Sequence, residues 1–307
     1  MSEGTTLELN QLIRLRAAAR GLELGARRRV LSAQAGGYLS VYHGRGMEFD
    51  EVRAYQAGDD ARTIDWRVTA RRGHPHTKLF REERERPVMF LVDLHPGMYF
   101  GSRVQFKSVL AGRLSALLGW AAVRAGDRVG GIVQGENRHR EIQPAAREAG
   151  LLQVLRSMVQ LQPTKPGQII AGRMDRALSC MARMALPGSL IIIFSDFRES
   201  GEAAEKHLSA MAQHNDVIAA FLYDPLETTP PPSGIYRMGI NRQRVSVDTS
   251  QAATVAQWQD RFLQHRETIR NLCLRHSIHF MEIATQDAMV KALRTGLSRH
   301  GGHGKKL

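Results

Sequence analysis

From Val88 to the end of the chain, short apolar runs alternate with longer segments whose apolar residues recur at helical spacing. A run that is apolar at nearly every position is typical of a strand covered on both faces of a parallel sheet. The alternation therefore predicts an α/β fold with crossover helices. The predicted strands are Val88–Asp93, Arg128–Gln134, Ser189–Ser195, Val217–Tyr223 and Ile278–Ile283.

The segments between these strands predict helices that cover both faces of the sheet. The first is expected to open with a capping box formed by Ser102 and Gln105 and to end near Arg124. The others are predicted over residues 151–161, 174–184, 202–214, 255–272 and 288–297, with a hairpin over 237–247. The predicted fold class is a doubly wound, mostly parallel sheet.

The residues ahead of Val88 have a different character. Leucines among arginines predict a helix over residues 7–33, whereas residues 34–87 are rich in glycine and charge and have no long periodic pattern. We therefore expect an N-terminal segment over residues 1–87 that packs on the core, an α/β domain over residues 88–298, and a flexible basic tail over residues 299–307.

Composition and charge narrow the class of protein. The 307 residues include 43 Lys and Arg against 30 Asp and Glu, and 43% are hydrophobic, which indicates a basic globular chain. The longest apolar run, Leu190–Phe194, is too short to span a membrane, and the first ten residues lack the apolar core of a signal peptide. The two cysteines form no CxxC motif. We expect a cytoplasmic protein without a membrane span.

Part of the positive charge is clustered near the N-terminus. The arginines concerned are Arg14, Arg16, Arg20, Arg27, Arg28 and Arg29. Such a cluster can bind nucleic acid or acidic lipid, or it can form a basic surface that meets an acidic protein. Because the chain has no zinc-finger spacing, aromatic RNA-binding signature or clear helix-turn-helix, we favour a protein partner over nucleic acid.

Two of the predicted strands end on a carboxylate. Asp93 lies in LVDLHPGM and Asp196 in IIIFSDF, and each follows an apolar run. Doubly wound sheets place their sites at the carboxyl ends of strands, so we expect the two carboxylates to converge. His95 and Gly97 occupy the next alternate positions after Asp93.

The segment before the first strand is dense in charge of both signs. Clustered carboxylates can raise one pKa and so form an acid/base centre. The alternative, which we favour, is a network of ion pairs and caps, in which Asp59 or Asp60 caps a helix over residues 61–71 and Ile64 and Trp66 anchor the segment to the core. The chain has neither a nucleophile–base–orienter arrangement nor a GxxxxGK[ST] phosphate loop.

The order of residues in GRGMEFDEVRAYQAGDDARTIDWRVTARRG, followed by KLFREERERPVMFLVD and FSDF, resembles the bacterial family called domain of unknown function 58. The resemblance implies a von Willebrand factor A-like fold, a role as partner of MoxR-type AAA+ ATPases, and no enzymatic activity. The positions that carry the family motif are Glu48, Arg53, Tyr55, Gly58, Asp59, Asp60, Arg62, Asp65, Trp66 and Arg71.

The resemblance also implies a type of site. Domains of this fold often hold Mg²⁺ through Asp-x-Ser-x-Ser, a Thr and a further Asp, which are oxygen ligands suited to a hard cation. Asp93 and Asp196 match the two Asp positions, but His95, Gly97 and Gly172 stand where hydroxyls are expected. Either the site is degenerate and binds no metal, which we favour, or Asp93, His95 and Asp196 form a mixed site for Mn²⁺, Fe²⁺ or Zn²⁺.

These observations lead to one favoured function and two alternatives. The favoured function is a non-enzymatic adaptor without a cofactor, which binds a client protein and a MoxR-type ATPase through Asp93, His95, Gly97, Asp196 and Arg198. The first alternative is a metal-dependent hydrolase that uses Asp93, His95 and Asp196. The second is a nucleic-acid binder that uses the N-terminal arginines.

Overall fold

The structure, a computed structural model, describes residues 4–24, 47–56, 64–82, 86–165, 167, 170, 172–240 and 243–301. It contains two compact units, of which the larger comprises Met1–Arg28 with Arg86–Leu307 and the smaller comprises Arg29–Glu85. The strands are β1 Met47–Ala54, β2 His76–Glu82, β3 Pro87–Asp93, β4 Arg128–Gln134, β5 His139–Ala145, β6 Leu190–Ser195, β7 Asp216–Tyr223, β8 Ile235–Ile240, β9 Gln243–Asp248 and β10 His279–Ala284.

The described residues also form nine α-helices. They are α1 Leu9–Arg14, α2 Trp66–Arg72, α3 Lys107–Arg124, α4 Glu148–Leu161, α5 Arg173–Met184, α6 Ala203–His214, α7 Pro225–Thr228, α8 Ala252–Arg275 and α9 Met289–Gly301. Among the described residues, no helix combines the length and the apolar character that crossing a bilayer requires.

A six-stranded, mostly parallel sheet forms the centre of the larger unit and confirms the predicted fold class. The strand order is β10-β7-β6-β3-β4-β5, and only β5 runs antiparallel to its neighbour. All five predicted strands are present. The pattern of apolar residues does not predict β5 because this edge strand buries only Ile142.

The order of the strands determines where a site can form. The chain starts in the middle of the sheet with β3, adds β4 and β5 on one side, and then returns to add β6, β7 and β10 on the other. The direction of winding therefore reverses between β3 and β6, and loops that leave neighbouring strands at such a point diverge to opposite faces and leave a crevice. Asp93 ends β3 and Asp196 directly follows β6.

Helices cover both faces of this sheet. Phe90 and Val92 face an apolar cluster that includes residues of α3, α4 and α9, whereas Met89 and Leu91 face a second cluster that includes residues of α5, α6 and α8. This alternation along β3 gives a core on each face, as predicted from the uniformly apolar strands.

The start of the chain belongs to the larger unit. Leu7, Leu12 and Leu22 are buried in the cluster on the α3 face, and the indole Nε1 of Trp120 donates a hydrogen bond to the Leu12 carbonyl at 3.0 Å. The predicted helix over residues 7–33 is present only in part over the described residues, where α1 spans Leu9–Arg14 and a short 3-10 helix over Ala18–Gly21 follows. Arg124 donates to the carbonyls of Ala19 and Leu22, so these acceptors are satisfied without a continuous helix.

The smaller unit contains an antiparallel pair, β1 and β2, with α2 between them in sequence. Asp65 caps α2 by accepting hydrogen bonds from the backbone N–H groups of Arg67 and Val68. The predicted helix over residues 61–71 begins later than expected, at Trp66, and its cap is not Asp59 or Asp60, which lie outside the described residues. Of the two predicted anchors, Trp66 is 71% exposed and Ile64 is half-buried.

The predicted capping box at the start of α3 is a further error. The helix begins at Lys107, and its N-cap, Phe106, has no side-chain cap. The backbone N–H of Ser102 donates to Asp224, and the Gln105 amide donates to the Thr285 carbonyl. These residues therefore tie the β3–α3 loop to the carboxyl ends of β7 and β10.

Candidate functional site

Asp93 and Asp196 meet at the carboxyl edge of the sheet, and His95 lies between them. The imidazole Nδ1 of His95 is 3.0 Å from Asp93 Oδ2, and its Nε2 is 3.7 Å from Asp196 Oδ1. Asp93, His95 and Asp196 are all at most 2% exposed. The predicted convergence of the two carboxylates is therefore confirmed.

A buried lysine completes this arrangement. Lys107 is the first residue of α3 and 1% exposed, and its Nζ lies 2.6 Å from Asp196 Oδ2 and 3.0 Å from Glu227 Oε1. The guanidinium Nη2 of Arg198 also donates a hydrogen bond to Glu227 Oε1, at 3.2 Å. We call Asp93, His95, Lys107, Asp196, Arg198 and Glu227 the strand-end cluster.

Sequence analysis missed Lys107 and Glu227. A signal for Lys107 was present, because it is the one charged residue at the start of the otherwise small and apolar stretch KSVLAG. Buried lysines are rare unless they are paired, so its place in a buried helix implies carboxylate partners. Asp224 directly follows β7 as Asp196 follows β6, but Glu227 lies in α7, which is too short to predict.

Every carboxylate oxygen of Asp93 and Asp196 accepts a hydrogen bond. Asp93 Oδ1 accepts from the backbone N–H of His95, while Oδ2 accepts from the Ser195 hydroxyl at 2.6 Å and contacts the His95 ring. Asp196 Oδ1 accepts from the Arg198 N–H, and its Oδ2 accepts from Lys107. The carboxylate oxygens are therefore satisfied, whereas His95 Nε2 is buried and makes no hydrogen bond to a described residue.

The cluster is balanced in charge, with three carboxylates and three cations. Burial alone would lower the pKa of His95, but the carboxylates of Asp93 and Asp196 outweigh it and raise that pKa from 6.5 to about 9. Burial would likewise lower the pKa of Lys107, yet Asp196 and Glu227 raise it. Burial works to raise the pKa of Asp196, but Lys107 and His95 hold it well below its ordinary value.

A carboxylate outside the cluster, that of Asp224, fixes the position of Glu227. Asp224 is fully buried at the end of β7 and accepts from the backbone N–H of Ser102 at 2.9 Å and from the Thr285 hydroxyl at 2.5 Å. It also caps α7 in a capping box, in which Glu227 Oε2 accepts from the Asp224 N–H. Glu227 Oε1 is thereby directed at Lys107.

The residues present do not fit the divalent cation that the resemblance implies. Mg²⁺ requires oxygen lone pairs in near-octahedral geometry, and here the carboxylate oxygens already accept from an ammonium, an imidazole and backbone N–H groups. The positive charges of Lys107 and His95 oppose a further cation. Gly97 supplies no ligand and instead makes room for His95, because a Cβ at Gly97 would lie 2.5 Å from His95 Nε2.

The residues predicted to contact a partner differ in exposure. Asp93, His95 and Asp196 are buried, so a partner cannot touch them in this conformation, whereas Gly97 is half-buried and the Arg198 side chain is 42% exposed. Phe100, which sequence analysis did not single out, is 38% exposed and lies over the ammonium of Lys107, 5.9 Å from Nζ to the ring centroid. Arg198 is therefore the accessible member of the strand-end cluster, and Phe100 is an accessible side chain beside it.

The family-motif residues fall in the smaller unit. Asp65 caps α2, Arg71 is exposed in its last turn, and the Tyr55 N–H donates to the Pro75 carbonyl. Glu48 and Arg53 lie in β1. Gly58, Asp59, Asp60 and Arg62 lie outside the described residues. The cap at Asp65 agrees with the favoured network of caps rather than with an acid/base centre.

Another group of potential ligands occurs on the larger unit. One ligand atom from each of His139, Glu141 and Cys180 lies within 4.8 Å of the others, with His139 and Glu141 exposed on β5. Arg183 donates to Cys180 Sγ at 3.2 Å, and burial together with Glu141 raises the pKa of the Cys180 thiol. A protonated thiol beside a guanidinium is a poor cation ligand.

Comparison with known proteins identifies relatives of this chain. It is 28% identical to the uncharacterized proteins Mb1516 of Mycobacterium bovis and Rv1480 of Mycobacterium tuberculosis, over 72% of this chain and 69% of each relative. Among solved structures, it is similar to the conserved hypothetical protein BatB from Bacteroides thetaiotaomicron (14% identity, TM-score 0.41, 70% of this chain and 98% of that one). It is also similar to an aerotolerance-related membrane protein from Bacteroides fragilis (16% identity, TM-score 0.44, 70% and 99%).

A family model matches residues 51–268, which include the strand-end cluster and much of the segment that carries the family motif. The match covers well over half of the chain. The chain therefore belongs to the family described as protein of unknown function DUF58.

Proposed function

We propose that this chain is a non-enzymatic, von Willebrand factor A-like adaptor whose metal-ion-dependent adhesion site is degenerate. Its partners in this proposal are a MoxR-type AAA+ ATPase and a client protein, as the family resemblance implies. The observation that carries the proposal is the pairing of Lys107 with Asp196 and Glu227, in which the buried ammonium occupies the carboxylates that would otherwise face a ligand. Such a cluster supports the loops around it rather than acting on a substrate.

The surface next to the cluster has the composition of a protein contact. Phe100 and Arg198 are partly exposed, and Val104 in the same β3–α3 loop is 57% exposed. Aromatic residues and arginine are enriched among the residues that dominate binding energy at protein interfaces. The hydrogen bonds from Ser102 and Gln105 fix this loop, so its side chains are presented with little loss of entropy on binding.

The two alternatives lack comparable support. The hydrolase would need Asp93, His95 and Asp196 as metal ligands, and their ligand atoms face Lys107, Ser195 and one another instead. The nucleic-acid binder would use the N-terminal arginines, of which Arg14, Arg16 and Arg20 are exposed and Arg27, Arg28 and Arg29 lie outside the described residues. Arg16 already pairs with Glu148 at 2.7 Å and lies over the Trp120 ring.

The test is binding to the AAA+ ATPase encoded nearest to this chain's gene. The full-length chain and the ATPase are purified separately, and the dissociation constant is measured with ATP and with ADP. We expect Phe100→Ala and Arg198→Glu each to weaken binding about tenfold, as loss of an interface anchor does. The matched control is Leu186→Ala, which removes a side chain that is 60% exposed near the amino end of β6. Absence of a complex, or equal binding by all four proteins, would contradict the proposal.

A further inference from the structure

A cavity of about 200 Å³ opens beside the strand-end cluster, at the carboxyl end of β4. The turn between β4 and β5 forms one wall, with Glu136 and Arg138, and the first turn of α5 forms the other, with Arg173 and Arg176. It is smaller than the roughly 300–1,000 Å³ of most organic ligand sites. Its size suits a small ion or a single functional group.

Arg173 is the unusual residue in this cavity. Arg173 is only 2% exposed, yet neither of its terminal guanidinium nitrogens, Nη1 and Nη2, makes a hydrogen bond to any described residue. Arg173 forms an ion pair with Glu199, but the distance of 3.6 Å between Nη1 and Oε2 is too long for a hydrogen bond. The ion pair with the buried Glu199 compensates part of the guanidinium charge, but the desolvated N–H groups of Arg173 still lack acceptors, which is costly.

The backbone N–H groups at the N-terminus of α5, on the second wall, also lack a side-chain acceptor. This helix of 12 residues begins after Gly172, and no side chain caps its N-terminus. The N–H groups of the first helical turn have no partners within a helix, and the helix dipole gives this end a partial positive charge. Arg138 and Arg176 are exposed and add positive charge, against the carboxylates of Glu136 and the buried Glu199.

We propose that this cavity binds a small oxyanion, with Arg173 as its buried anchor and Arg138 and Arg176 at its rim. A phosphate, sulfate or carboxylate oxygen presents the lone pairs that the Arg173 fork lacks, and guanidinium groups bind such oxygens in pairs. The helix N-terminus favours the same charge. The proposal is independent of the adaptor function, because it rests on the cavity alone.

The test measures thermal stability of the full-length chain in phosphate, sulfate or acetate, at constant ionic strength set with chloride. A ligand that binds only the folded state raises the melting temperature in a saturable way. Stabilisation by phosphate and sulfate identifies a tetrahedral anion, and stabilisation by acetate identifies a carboxylate. If none of the three stabilises the chain beyond chloride, the proposal is wrong.

Substitutions then locate the site. We expect Arg173→Gln to abolish the response and Arg138→Gln and Arg176→Gln each to weaken binding about tenfold, whereas Glu136→Gln tightens it by removing a like charge. The control is Arg183→Gln, an exposed arginine in the last turn of the same helix, which leaves the affinity unchanged. If Arg173→Gln does not fold, the anion affinities of Arg138→Gln and Arg176→Gln test the site instead. Equal responses from the rim variants and the control would overturn the proposal.

Discussion

The ammonium of Lys107 lies 2.6 Å from Asp196 Oδ2, and both side chains are buried at the carboxyl edge of the sheet. This pair joins the first turn of α3 to the end of β6, across the point where the winding of the sheet reverses. A buried ion pair adds little net stability over an apolar pair, because both charges lose their hydration. Breaking it on one side is costly, since the remaining charge stays buried.

The first prediction concerns Lys107→Ala. The substitution removes the buried cation that Asp196 and Glu227 share and leaves them only the partly exposed Arg198, and we expect the free energy of unfolding to fall by about 3–5 kcal/mol. Urea unfolding followed by circular dichroism measures the change. Asp196→Asn in the same background should cost much less than it does in the wild type, because the lysine is already gone. Equal costs in the two backgrounds would show that the pair is not coupled.

The second prediction concerns metal ions. In the wild-type chain, Mg²⁺ at millimolar concentration should leave the melting temperature unchanged, because Lys107 and His95 place positive charge where the cation would bind. In Lys107→Ala, the freed oxygens of Asp196 and Glu227 should allow Mg²⁺ or Mn²⁺ to recover part of the lost stability. Thermal unfolding with and without each metal measures both effects. A saturable Mg²⁺ effect on the wild type would show that the site is functional rather than degenerate.

The third prediction is a pH dependence that originates at His95. The carboxylates of Asp93, Asp196 and Glu199 face this imidazole, and its pKa in the folded chain is about 9, against 6.5 ordinarily. Because the folded state holds this proton more tightly, the stabilisation is complete below about pH 6.5 and is lost as pH rises through 9. The shift corresponds to about 3 kcal/mol at most.

The measurement compares the wild type with His95→Gln by urea unfolding between pH 6 and 10. Other groups titrate in both proteins, so the difference between their two profiles isolates His95. We expect that difference to fall between about pH 6.5 and 9 and to level off above it. A constant difference would mean that His95 is neutral in the folded chain.

The sequence predicts which strands bring Asp93 and Asp196 together, but it does not predict the buried ion pairs of the site. Uniformly apolar strands identify β3 and β6, and the carboxylates after them place Asp93 and Asp196 together. Lys107 cannot be placed in this way, because its partners come from β6 and from the short helix α7, and neither is near it in sequence. The cap at Asp65 is local, but Asp59 and Asp60 offer equally plausible caps until the helix start is known.

The last prediction concerns Gly97, which stands at a position where the resemblance implies a hydroxyl. A Cβ there would lie 2.5 Å from His95 Nε2, and His95 is held on its other side by Asp93. Gly97→Ala should therefore displace the imidazole and lower the free energy of unfolding by about 1–3 kcal/mol. It should also reduce the pH dependence that His95 causes, since the displaced ring no longer lies between Asp93 and Asp196. Gly239→Ala is the control, because a Cβ there meets nothing within 4 Å. If both variants unfold at the same urea concentration as the wild type, the loop has room for a side chain, and the absence of the hydroxyl at Gly97 has no steric cause.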